Sequence, residues 1–191
     1  MKLLNLLPII IAFVIFPICS LWAQSASVGS LVLPSGLSTI SFEWQGDSVH
    51  SKWEAYTAML IPVRLRNCPR IFYMQFDLGA PSSIFYKNKL DAIRLKYPDA
   101  VPLTENDNRI GEYNFWIGQT PATACKILVQ QFDNAAADWR EGRKEIIGTI
   151  GADLIDYRVV VLDYPDKKIH LLSSVTHRLK QKMFFFQTSP T

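Results

Sequence analysis

An apolar strand pattern that ends in Asp77-Leu78-Gly79-Ala80-Pro81-Ser82-Ser83 sets a single carboxylate on a tight turn. Gly79 lets the backbone fold back closely, and the small Ala80 leaves room beside the carboxylate. A carboxylate placed this way is a candidate for general acid–base work. The bland alternative is an ordinary strand end with a solvated Asp. A second stretch lies farther along, Ile146-Ile147-Gly148-Thr149-Ile150-Gly151-Ala152-Asp153-Leu154. Behind it come a Val-rich run and the turn Asp163-Tyr164-Pro165. Other catalytic signatures are missing: there is no Gly-x-Ser-x-Gly elbow, His-Glu-x-x-His, phosphate-binding Gly loop or dinucleotide fingerprint. Ser82 and Ser83 have no evident base and read as caps of the next element. His50, His170 and His177 are spaced away from Cys68 and Cys125, so neither a metal site nor a cofactor is expected.

The elements that must position Asp77 follow from periodicity. Ile40, Phe42 and Trp44 alternate as a strand, and a polar loop is expected from Gln45 to Ser51. Thr57 to Arg66 and Ile71 to Phe76 read as a hairpin around Asn67-Cys68-Pro69-Arg70, delivering Asp77 at its end. Leu90, Ile93 and Tyr97 recur at helical spacing, and Pro98 closes a short helix from Lys87 to Tyr97. Tyr113 to Gly118, Lys126 to Phe132 and Lys144 to Ile150 read as further strands. Val159-Val160-Val161-Leu162 is a continuous apolar run, expected of a strand buried on both faces, and Lys168 to Leu172 returns as its hairpin partner. About eight strands with one or two short helices predict a mainly β fold, a closed or partly closed barrel.

In this order the two stretches resemble the retropepsin-like (retroviral-type) aspartic peptidases, in particular exported bacterial members. Asp77-Leu78-Gly79-Ala80 is similar to the family's Asp-Thr/Ser-Gly-Ala turn, and Ile146-Ile147-Gly148 to the strand that crosses behind it. Gly151 to Ile155 resembles the family's helix and Val159 to Leu172 its closing hairpin, so the likeness spans roughly Ser38 to Leu172. The resemblance implies a retropepsin-like barrel over 38–175 and a peptide or protein substrate. It also implies a dyad in which two aspartates share one proton, activate a water and polarise the scissile carbonyl. Asp77 would be catalytic. Gly79 and Ala80 would line the substrate channel, and Arg109 to Gly118, with Gly111 and Tyr113, would be the flap. The chain departs from the pattern at Leu78, where the family's Thr or Ser hydroxyl bonds across to the opposite lobe. It also holds one such turn, so a dyad requires a homodimer or a second lobe. A catalytically impaired relative, acting as an envelope binding or interaction module, is the alternative.

The 191 residues suit one domain, and 49% apolar against 19% charged residues describes a globular chain rather than a disordered one. A net charge of +3 without a basic, aromatic-interleaved block gives no nucleic-acid signal. Residues 1–23 carry Lys2, an apolar Leu3 to Ile18 and a small-residue end near Ala23. That is the pattern of a cleaved signal peptide, with export to the periplasm or beyond. The apolar stretch is shorter than the ~20 residues of a membrane helix and holds Pro8 and Pro17, so no stable span is expected. Residues 24–37 read as a mobile arm. In the 176–191 tail, Met183-Phe184-Phe185-Phe186 reads as an edge or interface strand, or as the start of a second lobe. Cleavage would leave Cys68 and Cys125, for which a disulfide and two free thiols are both open.

Overall fold

Asp77 is delivered by a sheet that curls back on itself. The structure is a computed structural model describing residues 30–105, 108–155 and 158–181. The expected leader, residues 24–29 of the arm, Tyr157 and the Met183 to Phe186 run lie outside the described residues. Eleven strands are seen among those described: β1 (Ser30–Val32), β2 (Ser38–Ser41), β3 (Glu43–Val49), β4 (Lys52–Arg64), β5 (Ile71–Phe76), β6 (Ile84–Tyr86), β7 (Arg109–Ile117), β8 (Thr120–Gln130), β9 (Ile146–Ile150), β10 (Val159–Asp163) and β11 (Lys168–Leu172). Helix α1 (Lys87–Lys96) follows β6, a 3-10 turn spans Ala152–Leu154, and a one-turn helix α2 covers His177–Lys180. The protein is mainly β.

The pairings run β4–β5–β9–β6–β8–β7, and β7 returns to β4, which brings the mixed sheet into a partial ring. The closing contact is short, joining Val63 to Ile117 and Arg64 to Trp116. β5 lies parallel to β9 and β6 parallel to β8, while the remaining pairs are antiparallel. β1 and β3 flank the ring, and β10–β11–β2 form a separate three-stranded sheet. The alternation that marks β5 sends Phe72, Met74 and Phe76 inward, where they meet Ile61, Phe85, Phe115 and Ile147 in one buried cluster. Ile40, Ile169 and Leu171 belong to the same cluster, so the small sheet shares the core.

Three expectations change. Within the arm, Ser30–Val32 forms β1 on the edge of β8, because Leu31 has a buried place in the core. The polar stretch Gln45 to Ser51 is mostly strand: β3 runs to Val49, and only His50 and Ser51 make the turn, both at positive φ (49° and 64°), as a two-residue hairpin with right-handed twist requires. Among the described residues the Val159–Asp163 run is an edge strand paired only with β11 and half-buried throughout, rather than buried on both faces.

Close approach of β9 to its neighbours depends on glycine. A Cβ at Gly148 would stand 2.3 Å from the Ile84 carbonyl oxygen and 2.9 Å from Met74 Cε. Because the nearer atom is backbone, β6 would have to move. Gly148→Ala is therefore expected to destabilise the fold by up to about 3 kcal/mol, read as a lowered urea midpoint with unchanged m. A midpoint equal to the parent's would show that the β6–β9 spacing is looser than described.

Candidate functional site

The turn after β5 is built in two layers. On the outside, Asp77, Leu78 and Gly79 are solvent-exposed, Leu78 at 43%. The Gly79 N–H donates to Asp77 Oδ1 at 2.9 Å and the Ala80 N–H to the Asp77 carbonyl at 3.2 Å, so the carboxylate orientation is set by its own turn. Behind it, Asp77 N–H donates to the Ile150 carbonyl (3.0 Å) and Ala152 N–H to the Ala80 carbonyl (2.8 Å). Gly151 is wedged between these segments, since a Cβ there would lie 2.6–2.7 Å from backbone atoms of Ala80 and Ser82.

Asp153 locks the two layers together. Its Oδ1 accepts from Ser83 N–H (2.8 Å) and Ser83 Oγ (2.7 Å), and its Oδ2 from Leu31 N–H (2.9 Å). Ser83 Oγ in turn accepts from Gly151 N–H at 3.0 Å. Burial pushes the Asp153 carboxyl above its ordinary value, outweighing the donors from Ser83 and Leu31 that pull it down. The resemblance places this residue only in the short helix of Gly151 to Ile155. The signal for more was an acid set among apolar neighbours, Ala152 and Leu154, where a carboxylate needs donors. With its oxygens engaged behind the turn, Asp153 is a brace and does not stand as a partner to the Asp77 carboxylate.

The residues expected to act with Asp77 are only partly gathered. Gly79 and Ala80 share its turn. Gly111 and Tyr113 do not: they sit on β7, which pairs with β8 along its length and whose following turn is pinned by Gly118 N–H to the Pro62 carbonyl at 2.7 Å. β7 is thus a wall of the ring and not a free-standing flap. Tyr113 points inward at 5% exposure, and its hydroxyl accepts from Arg66 N–H and donates to the Ala100 carbonyl at 2.6 Å. Burial raises its pKa to about 12.

What does overhang Asp77's end of the sheet is the β3–β4 hairpin. β4 pairs with β5 from Met59 onward, and the residues from Lys52 to Ala58 continue past Phe76 paired with β3 alone. A bulge opposite Gly46 turns Tyr56 toward Trp44, whose rings meet edge to face at 5.2 Å. Trp44 also stacks on Tyr164 (5.7 Å, 27°). Together with Pro165 and Lys167 they line an open, largely apolar cleft of about 590 Å³. Trp44 pairs with Met59 and Met59 with Phe76, two inter-strand spacings or about 10 Å between Trp44 and Phe76. No local sequence pattern marks this cleft, because its walls come from two distant hairpins.

Cys68 and Cys125 are both free thiols, and burial raises the Cys68 pKa. Among the described residues no three His, Cys, Asp or Glu side chains converge as metal ligands, and no helix is long and apolar enough to cross a membrane. No protein-family model matches the chain, and no curated protein matches it significantly.

Proposed function

We propose that this protein is an exported aspartic-peptidase-like hydrolase whose site is completed when two copies bring their Asp77 turns face to face. The reading rests on one observation: an exposed carboxylate held in a fixed orientation by Gly79 N–H, on a turn braced from behind by Gly151 and Asp153. Paired across a two-fold axis, two such carboxylates would be too close to ionise together and would share a proton. The ionised one takes a proton from water, the water attacks the peptide carbonyl, and the protonated one donates to the carbonyl oxygen. The Leu78 side chains would pack against each other at the axis in place of the hydroxyl bridge the resemblance implies.

The test is peptide hydrolysis at pH 4 to 6, measured alongside the mass in solution. Asp77→Asn is expected to cut the rate by about 10²–10⁴-fold while leaving stability within about 0.5 kcal/mol, because the side chain is exposed. A monomer at all concentrations, or hydrolysis that survives Asp77→Asn, would end this reading.

Leu78 and the Trp44–Tyr56–Tyr164 cleft favour a second reading, a non-catalytic module that binds an apolar side chain. It predicts that Tyr164→Ala weakens ligand capture and Asp77→Asn leaves it unchanged.

A further inference from the structure

The ring has a second concave surface, at the end of β5 opposite Asp77, about 20 Å away along the strand. It is a cleft of about 740 Å³ whose floor is Trp139 and whose rim carries Arg70, Lys96, Arg140, Arg143 and Lys144. Glu141 is the one acid among its lining residues. Trp139 is fixed from below, edge to face on Phe72 (6.2 Å, 81°) and against Tyr97 (6.0 Å), and it packs on the core.

The cations are not equally neutralised. Arg140 pairs with Asp138 at 2.5 Å and Lys144 with Glu43 at 2.7 Å, while Arg143 reaches Asp138 only at 3.6 Å. Arg70 and Lys96 form no ion pair among the described residues. They are held instead by the indole, with Lys96 Nζ 4.4 Å and Arg70 Cζ 5.2 Å from the Trp139 ring centre. Arg70 is further positioned by Nη2 donating to the Arg143 carbonyl at 3.2 Å. Two preorganised cations without counter-charges, with a third only loosely held, leave a concentrated positive field over a flat apolar floor.

We propose that this cleft binds a ligand carrying two or more phosphate groups, with Arg70, Lys96 and Arg143 taking the charges and the Trp139 indole holding Arg70 and Lys96 in place to receive them. The planar guanidinium fork suits phosphate oxygens, and one monoanion would leave the site's charge unbalanced. The site is separate from the Asp77 turn, so its occupancy does not depend on hydrolytic competence.

Calorimetric titration of the purified protein with tripolyphosphate, and in parallel with vesicles containing cardiolipin, whose headgroup carries two phosphates, tests this at 0.15 M salt. Saturable one-to-one binding of tripolyphosphate is expected, weakened at least about tenfold in Arg70→Gln/Lys96→Gln. Lys180→Gln, which removes a charge outside the cleft, and Asp77→Asn should stay within about twofold of the parent. Binding to the vesicles with the same Arg70 and Lys96 dependence would support the site with a lipid headgroup as the phosphate source. Three results would overturn the proposal: no saturable binding to either probe, full affinity in the double variant, or equal weakening by Lys180→Gln. The double variant's thermal melt, expected to match the parent, separates lost binding from lost folding.

Discussion

Glu145→Ala is expected to lower the unfolding free energy by about 3–5 kcal/mol. Its Oε1 meets Lys89 Nζ at 2.9 Å with both side chains nearly buried, at 7% and 11% exposure. Its Oε2 accepts from Asp138 N–H at 2.8 Å, and Lys89 Nζ also donates to the Ala136 carbonyl at 3.1 Å. Removing the carboxylate therefore strands a buried ammonium and a backbone donor at once, and such uncompensated burial is what makes single deletions in buried pairs severe. The consequence reaches the sheet, since the Glu145 carbonyl accepts from Tyr73 N–H where β9 starts beside β5. Lys89→Met alone should be costly too, because the Glu145 carboxylate would then stay buried without its cation. Combining Lys89→Met with Glu145→Ala should recover part of the loss, because no unpaired charge remains; the Asp138 N–H would still lack its acceptor. Urea unfolding of the two single variants and the double closes the cycle. Strictly additive losses would show that the two side chains do not interact in solution.

The elements legible in the sequence are those with one wet and one dry face. β5 alternates cleanly, and α1 repeats at helical spacing with Leu90 and Ile93 buried, so the strand that delivers Asp77 and the helix after it stand where periodicity puts them. The overhanging part of β3–β4 is exposed on both faces, which leaves residues such as Asp47, Ser48 and Lys52 with no reason to alternate and makes a strand look like a loop. The Val159–Leu162 run misleads in the other direction. Apolar continuity suggests two buried faces, but a half-buried edge strand of a small sheet carries the same composition. Asp77 is visible because a turn is local. The cleft on Trp139 is not, because Arg70, Lys96 and the 139–144 loop lie far apart in the chain: the parallel β5–β9 pairing sets Arg70 beside the loop, and the packing of Tyr97 and Lys96 on Trp139 brings in the end of α1. The absence of a basic, aromatic-interleaved block in the sequence is thus compatible with a basic, aromatic-floored surface in the fold.

Asp153→Ala is expected to cost about 4 kcal/mol, and its distinctive mark is where that loss falls. Three donors, two of them backbone N–H groups, would lose their acceptor in one step, and a methyl group can replace none of them. Asp153→Asn keeps the shape and one acceptor but turns an amide N–H₂ toward donors, so it should be damaging as well, though less than Ala. The two variants also carry a pH signature. Burial raises the folded-state pKa of Asp153 above 3.8, so the native state holds its proton more tightly than the unfolded chain does. The stability Asp153 contributes is then fully present below the unfolded pKa and declines as pH rises through the folded pKa. The gap between parent and Asp153→Asn should accordingly be widest below about pH 4 and narrower at pH 7, the reverse of the usual salt-bridged aspartate. A gap that widens with pH would mean the three donors outweigh burial. Either way the damage should be local first. Loss of the brace frees Ser83 and the back of the Asp77 turn, so amide exchange at Gly79 and Ala80 should quicken before the melting temperature of the whole domain moves by a comparable amount. On the hydrolase reading the rate then falls in Asp153→Ala although the Asp77 carboxylate is intact, because its orientation depends on a turn held from behind.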